Sequence, residues 1–143
     1  TGGVSMLYFD IVAKHPVDKV ALIFRDKQLT YGQLCAKIQA WANSLQAKGV
    51  KKGDKVGLFS KNCMEFVVAY FAIIKAGGVV VPFNFQLAAR EIVYIVKDTG
   101  MKVLINKEPL ELTEALAEEN LTGTLAQYTF GYTYLCGLCL AGR

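Results

Sequence analysis

The sequence predicts an α/β fold, a layered sheet-and-helix sandwich around a mostly parallel sheet. Three observations carry that expectation. Short apolar or β-branched runs alternate with helical stripes along the chain, only a few residues connect them, and glycines stand where helices should stop. At 143 residues the chain is one domain or part of one, and a compact fold of this size buries roughly 68–70% of its unfolded surface. A composition of 53% hydrophobic and 20% charged residues suits a packed core and argues against disorder.

Taken in order, Met6, Leu7, Phe9, Ile11 and Val12 suggest a short helix over residues 5–13, closed by His15-Pro16 because the residue before proline avoids the helical region. Val20 to Phe24 is apolar and β-prone, and Arg25-Asp26-Lys27 provides a turn before Gln28-Leu29-Thr30, which together read as an antiparallel hairpin. Thr30 is also a good N-cap. The helix it opens runs from Tyr31 to about Lys48 with Leu34, Ile38, Trp41 and Leu45 on one stripe, and Gly49 ends it.

Lys55 to Ser60 carries the run Val56-Gly57-Leu58-Phe59 and reads as a buried strand. Asn62 can cap the following helix, Cys63 to about Ala76, which is apolar nearly all round and should be covered on most sides. Gly77-Gly78 breaks it. Val79-Val80-Val81 is expected to form a strand that ends at Pro82, since proline cannot donate to a central ladder. Ala88 to Asp98 predicts an amphipathic helix stopped by Thr99-Gly100, Lys102 to Ile105 a buried strand, and Pro109 to Glu119 an acidic helix. From Leu121 to Gly142 no residue is charged; a strand pair or hairpin packed on further protein is expected there, because threonines and glycines interrupt any membrane-spanning helix.

The net charge of +4 comes from 16 basic and 12 acidic residues. Its densest cluster is Lys48, Lys51, Lys52, Lys55 and Lys61, read as a solvated loop face; nucleic acid is not expected as a partner because no groove-reading motif accompanies it. Cys35, Cys63, Cys136 and Cys139 lack the spacing of a disulfide scaffold, and no leader peptide precedes them, so a reducing cytoplasm is the expected setting. Cys136-Gly137-Leu138-Cys139 has no second pair or histidine set to complete a zinc site.

No phosphate-loop or dinucleotide fingerprint is present. Gly77-Gly78 precedes a strand where a phosphate cradle would open a helix. The lone histidine, His15, has no identifiable nucleophile or carboxylate partner. Glu108, Glu111, Glu114, Glu118 and Glu119 read as a solvated helix face, not a metal set. The residues thus yield no catalytic, cofactor-binding or metal-binding assignment.

Four phrases recur in a characteristic order: Leu29-Thr30-Tyr31-Gly32-Gln33-Leu34, Gly49-Val50-Lys51-Lys52-Gly53-Asp54-Lys55-Val56, Asn62-Cys63-Met64-Glu65, and Lys75-Ala76-Gly77-Gly78-Val79-Val80-Val81-Pro82-Phe83-Asn84. With the helix Arg90 to Gly100, they make residues 5 to 106 resemble the start of the adenylate-forming (AMP-binding) superfamily, which includes acyl-CoA synthetases, peptide-synthetase adenylation domains and luciferases. The stretch Asn84-Phe85-Gln86-Leu87-Ala88-Ala89-Arg90-Glu91 is more similar to the fatty-acyl CoA ligases.

The resemblance implies that the parent is an acid–CoA ligase using ATP, magnesium and coenzyme A on a carboxylic, fatty acid. It implies residues 1–120 as the N-terminal part of the AMP-binding domain, a partial subdomain of the large domain, with 121–143 as an uncharged apolar tail. The phosphate loop, adenine and ribose contacts and catalytic lysine of the family have no counterpart in these residues, so the piece itself is expected to be inactive. A cytoplasmic location is expected, peripheral to a membrane if the substrate is long-chain, without a transmembrane segment. Two other readings fit the pattern: a non-catalytic binding or interaction module, and a Rossmann-type nucleotide-binding domain lacking its glycine fingerprint.

Overall fold

A computed structural model describes residues 18–24, 27–61, 64–107 and 110–129. The expected helix over 5–13, His15, the Arg25-Asp26 turn, Asn62, Cys63 and the Cys136/Cys139 pair lie outside these residues. The chain begins with an antiparallel hairpin, β1 (Val20–Phe24) and β2 (Lys27–Thr30). Helix α1 (Tyr31–Ala47) follows directly. Thr30 caps it as expected and does more: its Oγ1 accepts the Gln33 N–H at 3.2 Å while Gln33 Oε1 accepts the Thr30 N–H at 2.9 Å. This reciprocal box satisfies two N–H groups that a helix start would leave bare.

The main sheet contains β3 (Lys55–Phe59), β4 (Val79–Phe83), β5 (Val103–Asn106) and β6 (Ala126–Thr129), in the order β4-β3-β5-β6 with every pairing parallel. Helices α2 (Met64–Lys75), α3 (Ala89–Thr99) and α4 (Thr113–Glu118) make the crossovers. Parallel strands require such crossovers, because a tight turn cannot return the chain to the same end of the sheet.

Alternation along the strands divides the core in two. Val56, Leu58 and Ile105 pack with Leu34, Ile38, Trp41 and Leu45 of α1 and Val68, Ala72 and Ile73 of α2. Leu104 and Phe83 pack on the opposite face with Ile92, Val93 and Val96 of α3 and Leu116 of α4. The result is the expected three-layer arrangement, helices on both faces of a parallel sheet. Gly57 sits at its tightest point: a Cβ there would lie 2.7 Å from Leu104 Cδ1 and 2.8 Å from Met101 Sδ.

Two expectations require correction. Pro82 does not end β4, which continues to Phe83 with Pro82 opposite Leu58; among the described strands β4 stands at the sheet's edge, one side of which has no ladder to supply. Among the described residues the acidic helix covers only Thr113–Glu118, where Glu111 Oε1 accepts the Thr113 N–H at 2.9 Å and so satisfies a first-turn donor. Residues 126–129 form a parallel strand on β5; the rest of the expected strand pair lies outside the described residues. Helix α2 is covered over most of its surface, as expected: Met64, Val68, Ala69, Ala72 and Ile73 are buried and Phe66, Val67, Phe71 and Ile74 half-buried, while Tyr70 is 37% exposed.

Candidate functional site

Ligands of open parallel sheets sit outside the carboxyl ends of the strands, where the strand order reverses direction. Here that point lies between β3 and β5: the chain leaves β3 for β4 on one side through α2, then returns through α3 to β5 on the other. Ser60 and Lys61 follow β3, and Asn106 and Lys107 end and follow β5. The Lys107 N–H donates to the Phe59 carbonyl at 3.3 Å, closing the floor between the strands.

Asn106 is fully buried and its Nδ2 donates to Thr129 Oγ1 of β6 at 3.0 Å. Ser60, also buried, donates its hydroxyl to the Lys61 carbonyl at 2.8 Å. Lys61 Nζ lies 5.2 Å from the Phe85 ring centroid, a cation–π distance. Asn84 Oδ1 accepts the Gln86 N–H at 2.9 Å, forming the turn that leads from β4 to α3. The edge therefore presents two exposed ammonium groups above buried hydroxyl and amide groups, a setting for an anionic group.

The sequence marked Lys61 only as part of a lysine cluster, and it stopped the β5 strand one residue short of Asn106. The signal available for Asn106 was an asparagine closing the run Val103-Leu104-Ile105, where a buried polar side chain needs partners. The acidic face is solvated as expected; Glu118 pairs with Arg90 at 3.2 Å and Glu119 with Lys97 at 2.8 Å, tying α4 to α3. The hydrogen bond from Lys97 to Glu119 raises the lysine above its ordinary pKa, and the Thr113 hydrogen bonds hold Glu111 below the ordinary carboxylate value. Burial pushes Lys75 down, opposed by the nearby Cys35. An open cavity of about 630 Å³ lies beside this α3–α4 pair, lined by Arg90, Tyr94, Lys97, Asp98 and Glu119.

The described residues do not fit a nucleotide triphosphate. The Gly77 and Gly78 N–H groups donate to the carbonyls of Ile74 and Ile73 at 3.0 and 2.9 Å, so they close α2 and are not free to cradle phosphate. No group of three His, Cys, Asp or Glu side chains that could hold a metal ion occurs among the described residues. No described helix is long and apolar enough to cross a membrane.

Comparison with known proteins gives this scaffold a lineage. A medium/long-chain-fatty-acid–CoA/3-oxocholest-4-en-26-oate–CoA ligase of Mycolicibacterium smegmatis is 41% identical over 100 residues, covering 67% of this chain and 18% of the ligase. A mycosubtilin synthase of Bacillus subtilis is 35% identical over 97 residues, covering 68% of this chain and 4% of that protein. The solved structure of O-succinylbenzoate coenzyme A synthetase from Bacillus subtilis in complex with AMP matches with a TM-score of 0.70 at 27% identity, over 80% of this chain and 29% of that one. The chain thus spans less than a fifth of the length of the curated relatives it matches. The AMP-binding enzyme family model matches residues 9–131, and the chain belongs to that adenylate-forming family, as part of its N-terminal α/β subdomain.

Proposed function

We propose that the parent protein is an ATP-dependent acid–CoA ligase and that this chain is scaffold from the N-terminal part of its AMP-binding domain. The parent reaction joins a carboxylate to ATP as an acyl-adenylate with release of pyrophosphate, then transfers the acyl group to coenzyme A. The observation that carries the reading is the ordered set of four phrases, whose described portions act structurally. Thr30 and Gln33 cap α1, Gly49 and Gly53 form the turn into β3, and Gly77-Gly78 stops α2 before β4. A fatty acid is the favoured substrate class, supported by the likeness of the segment 84–91 to CoA ligases and by the mycobacterial relative.

In this reading residues 1–120 belong to the AMP-binding domain and 121–143 form a tail that carries no charge as far as Gly142, of which β6 joins the sheet. ATP, magnesium and coenzyme A belong to the parent, and this chain's described residues position strands and carry no chemical step. The setting is cytoplasmic.

ATP–pyrophosphate exchange tests the division of labour. The purified 143-residue chain should show no exchange above background with any of a panel of fatty acids, whereas the parent protein should exchange. Robust exchange by the short chain would overturn the scaffold reading. A parent sequence without a Ser/Thr/Gly-rich loop ending in Gly-x-Pro-Lys downstream would overturn the ligase reading.

A further inference from the structure

We propose that the amino edge of the parallel sheet docks on an anionic lipid surface. The fold rearranges the lysine cluster seen in the sequence. Lys61 follows β3 and lies at the carboxyl edge, while Lys102, remote in sequence, joins Lys51 and Lys55 around a cleft of about 290 Å³ that also includes Asp54 and Met101. Lys51, Lys52, Lys55 and Lys102 are all exposed. Neither of the ion pairs among the described residues involves them.

The charge of the molecule is concentrated here. Lys51, Lys52, Lys55 and Lys102 against Asp54 give a local excess of three out of the net +4 of the chain. Taking those four from the 16 cations and that one from the 12 carboxylates leaves twelve cations and eleven carboxylates elsewhere. The carboxyl ends of α1, α2, α3 and α4 each lead to a strand start at this edge and each carries about half a negative charge. Together they offset at most about 2 charges, so the edge remains positive.

The form of the site selects the partner. A compact phosphate is held by directed N–H groups, and three backbone donors of this edge are already engaged: Lys51 to Asp54 Oδ2 at 2.8 Å, Gly53 to the Gly77 carbonyl at 2.9 Å and Val79 to the Asp54 carbonyl at 2.7 Å. What remains is a set of ammonium groups on flexible stems, which act as point charges and suit an extended anionic plane. Val79, 47% exposed and in register with Lys55, adds an apolar contact at the headgroup level. A nucleic acid would call for aromatic side chains interleaved with the lysines.

Co-sedimentation of the 143-residue chain with vesicles tests the proposal. The chain should bind phosphatidylcholine vesicles containing phosphatidylserine, fail to bind pure phosphatidylcholine, and release at about 0.5 M salt, where the Debye length falls well below its ~10 Å value at 0.1 M. Because each surface lysine contributes roughly fivefold to such binding, K51Q/K55Q should weaken it about 25-fold. K19Q/K37Q, which removes the same charge elsewhere, should weaken it less than about threefold by the same reasoning. Equal losses from the two pairs, equal binding to neutral vesicles, or binding of inorganic pyrophosphate at these lysines without vesicle binding would each overturn it.

Discussion

Replacing Gly77 and Gly49 separately by alanine measures how the turn before β3 is locked to the turn before β4. Both glycines have nearly the same left-handed backbone, φ +96° and +97°. A side chain in that region costs about 1–2 kcal/mol, and the loss of unfolded-state freedom on Gly→Ala, about 0.4–1 kcal/mol in the opposite sense, is common to both. They differ in surroundings: a Cβ at Gly49 meets nothing within 4 Å, whereas one at Gly77 lies 3.2 Å from Lys52 Cα and 3.4 Å from Lys52 N. The Lys52 backbone cannot retreat cheaply, since the Gly53 N–H is bound to the Gly77 carbonyl and the Val79 N–H to the Asp54 carbonyl. Overpacking against fixed atoms adds about 1–2 kcal/mol. Gly77→Ala should therefore destabilise by about 1–2 kcal/mol more than Gly49→Ala.

Urea unfolding followed through Trp41, the sole tryptophan and 3% exposed, reads this difference directly. With an m-value of about 2 kcal/mol/M, the Gly77→Ala midpoint should fall about 0.5–1 M below that of Gly49→Ala. Midpoints that coincide, or a lower one for Gly49→Ala, would refute the argument that the Lys52 backbone contact makes Gly77 special.

Thr30→Ala removes the oxygen that accepts the Gln33 N–H and should cost about 1 kcal/mol, while Thr30→Ser should cost a few tenths; equal losses in urea unfolding would argue against the capping box. Lys97 is raised above its ordinary pKa by Glu119, so its contribution is fully present below the unfolded-state lysine pKa and is lost as pH rises through the folded value. Glu119→Gln should shift the Lys97 titration to lower pH in an NMR titration of its side chain, and unchanged titration would show that the pair does not persist in solution.

The features legible in the sequence have determinants a few residues apart. Thr30 at a helix start, Gly49 and Gly100 at helix ends, and the apolar stripe of α1 all act within one or two turns of the chain, so local spacing reveals them. Even here a partner was overlooked: Gln33, three residues after Thr30, completes the capping box. The family resemblance was legible for the same reason, because its phrases are caps, turns and helix stops that keep their spacing.

Strand order could not be read in this way, and several local outcomes depended on it. Pro82 lies within a strand because β4 stands at the sheet's edge among the described strands, and Asn106 is buried because β6 covers the far side of β5, where Thr129 accepts its hydrogen bond. The lysine cluster depended on it most. Consecutive lysines showed only a charged loop, whereas the parallel crossover placed Lys102 beside Lys51 and Lys55 and sent Lys61 to the opposite edge. The sequence by itself determined most of the elements, the glycine stops of α1, α2 and α3, and the family. Tertiary structure decided which charges share a surface, because a parallel sheet gathers the starts of all its strands at one edge and their ends at the other.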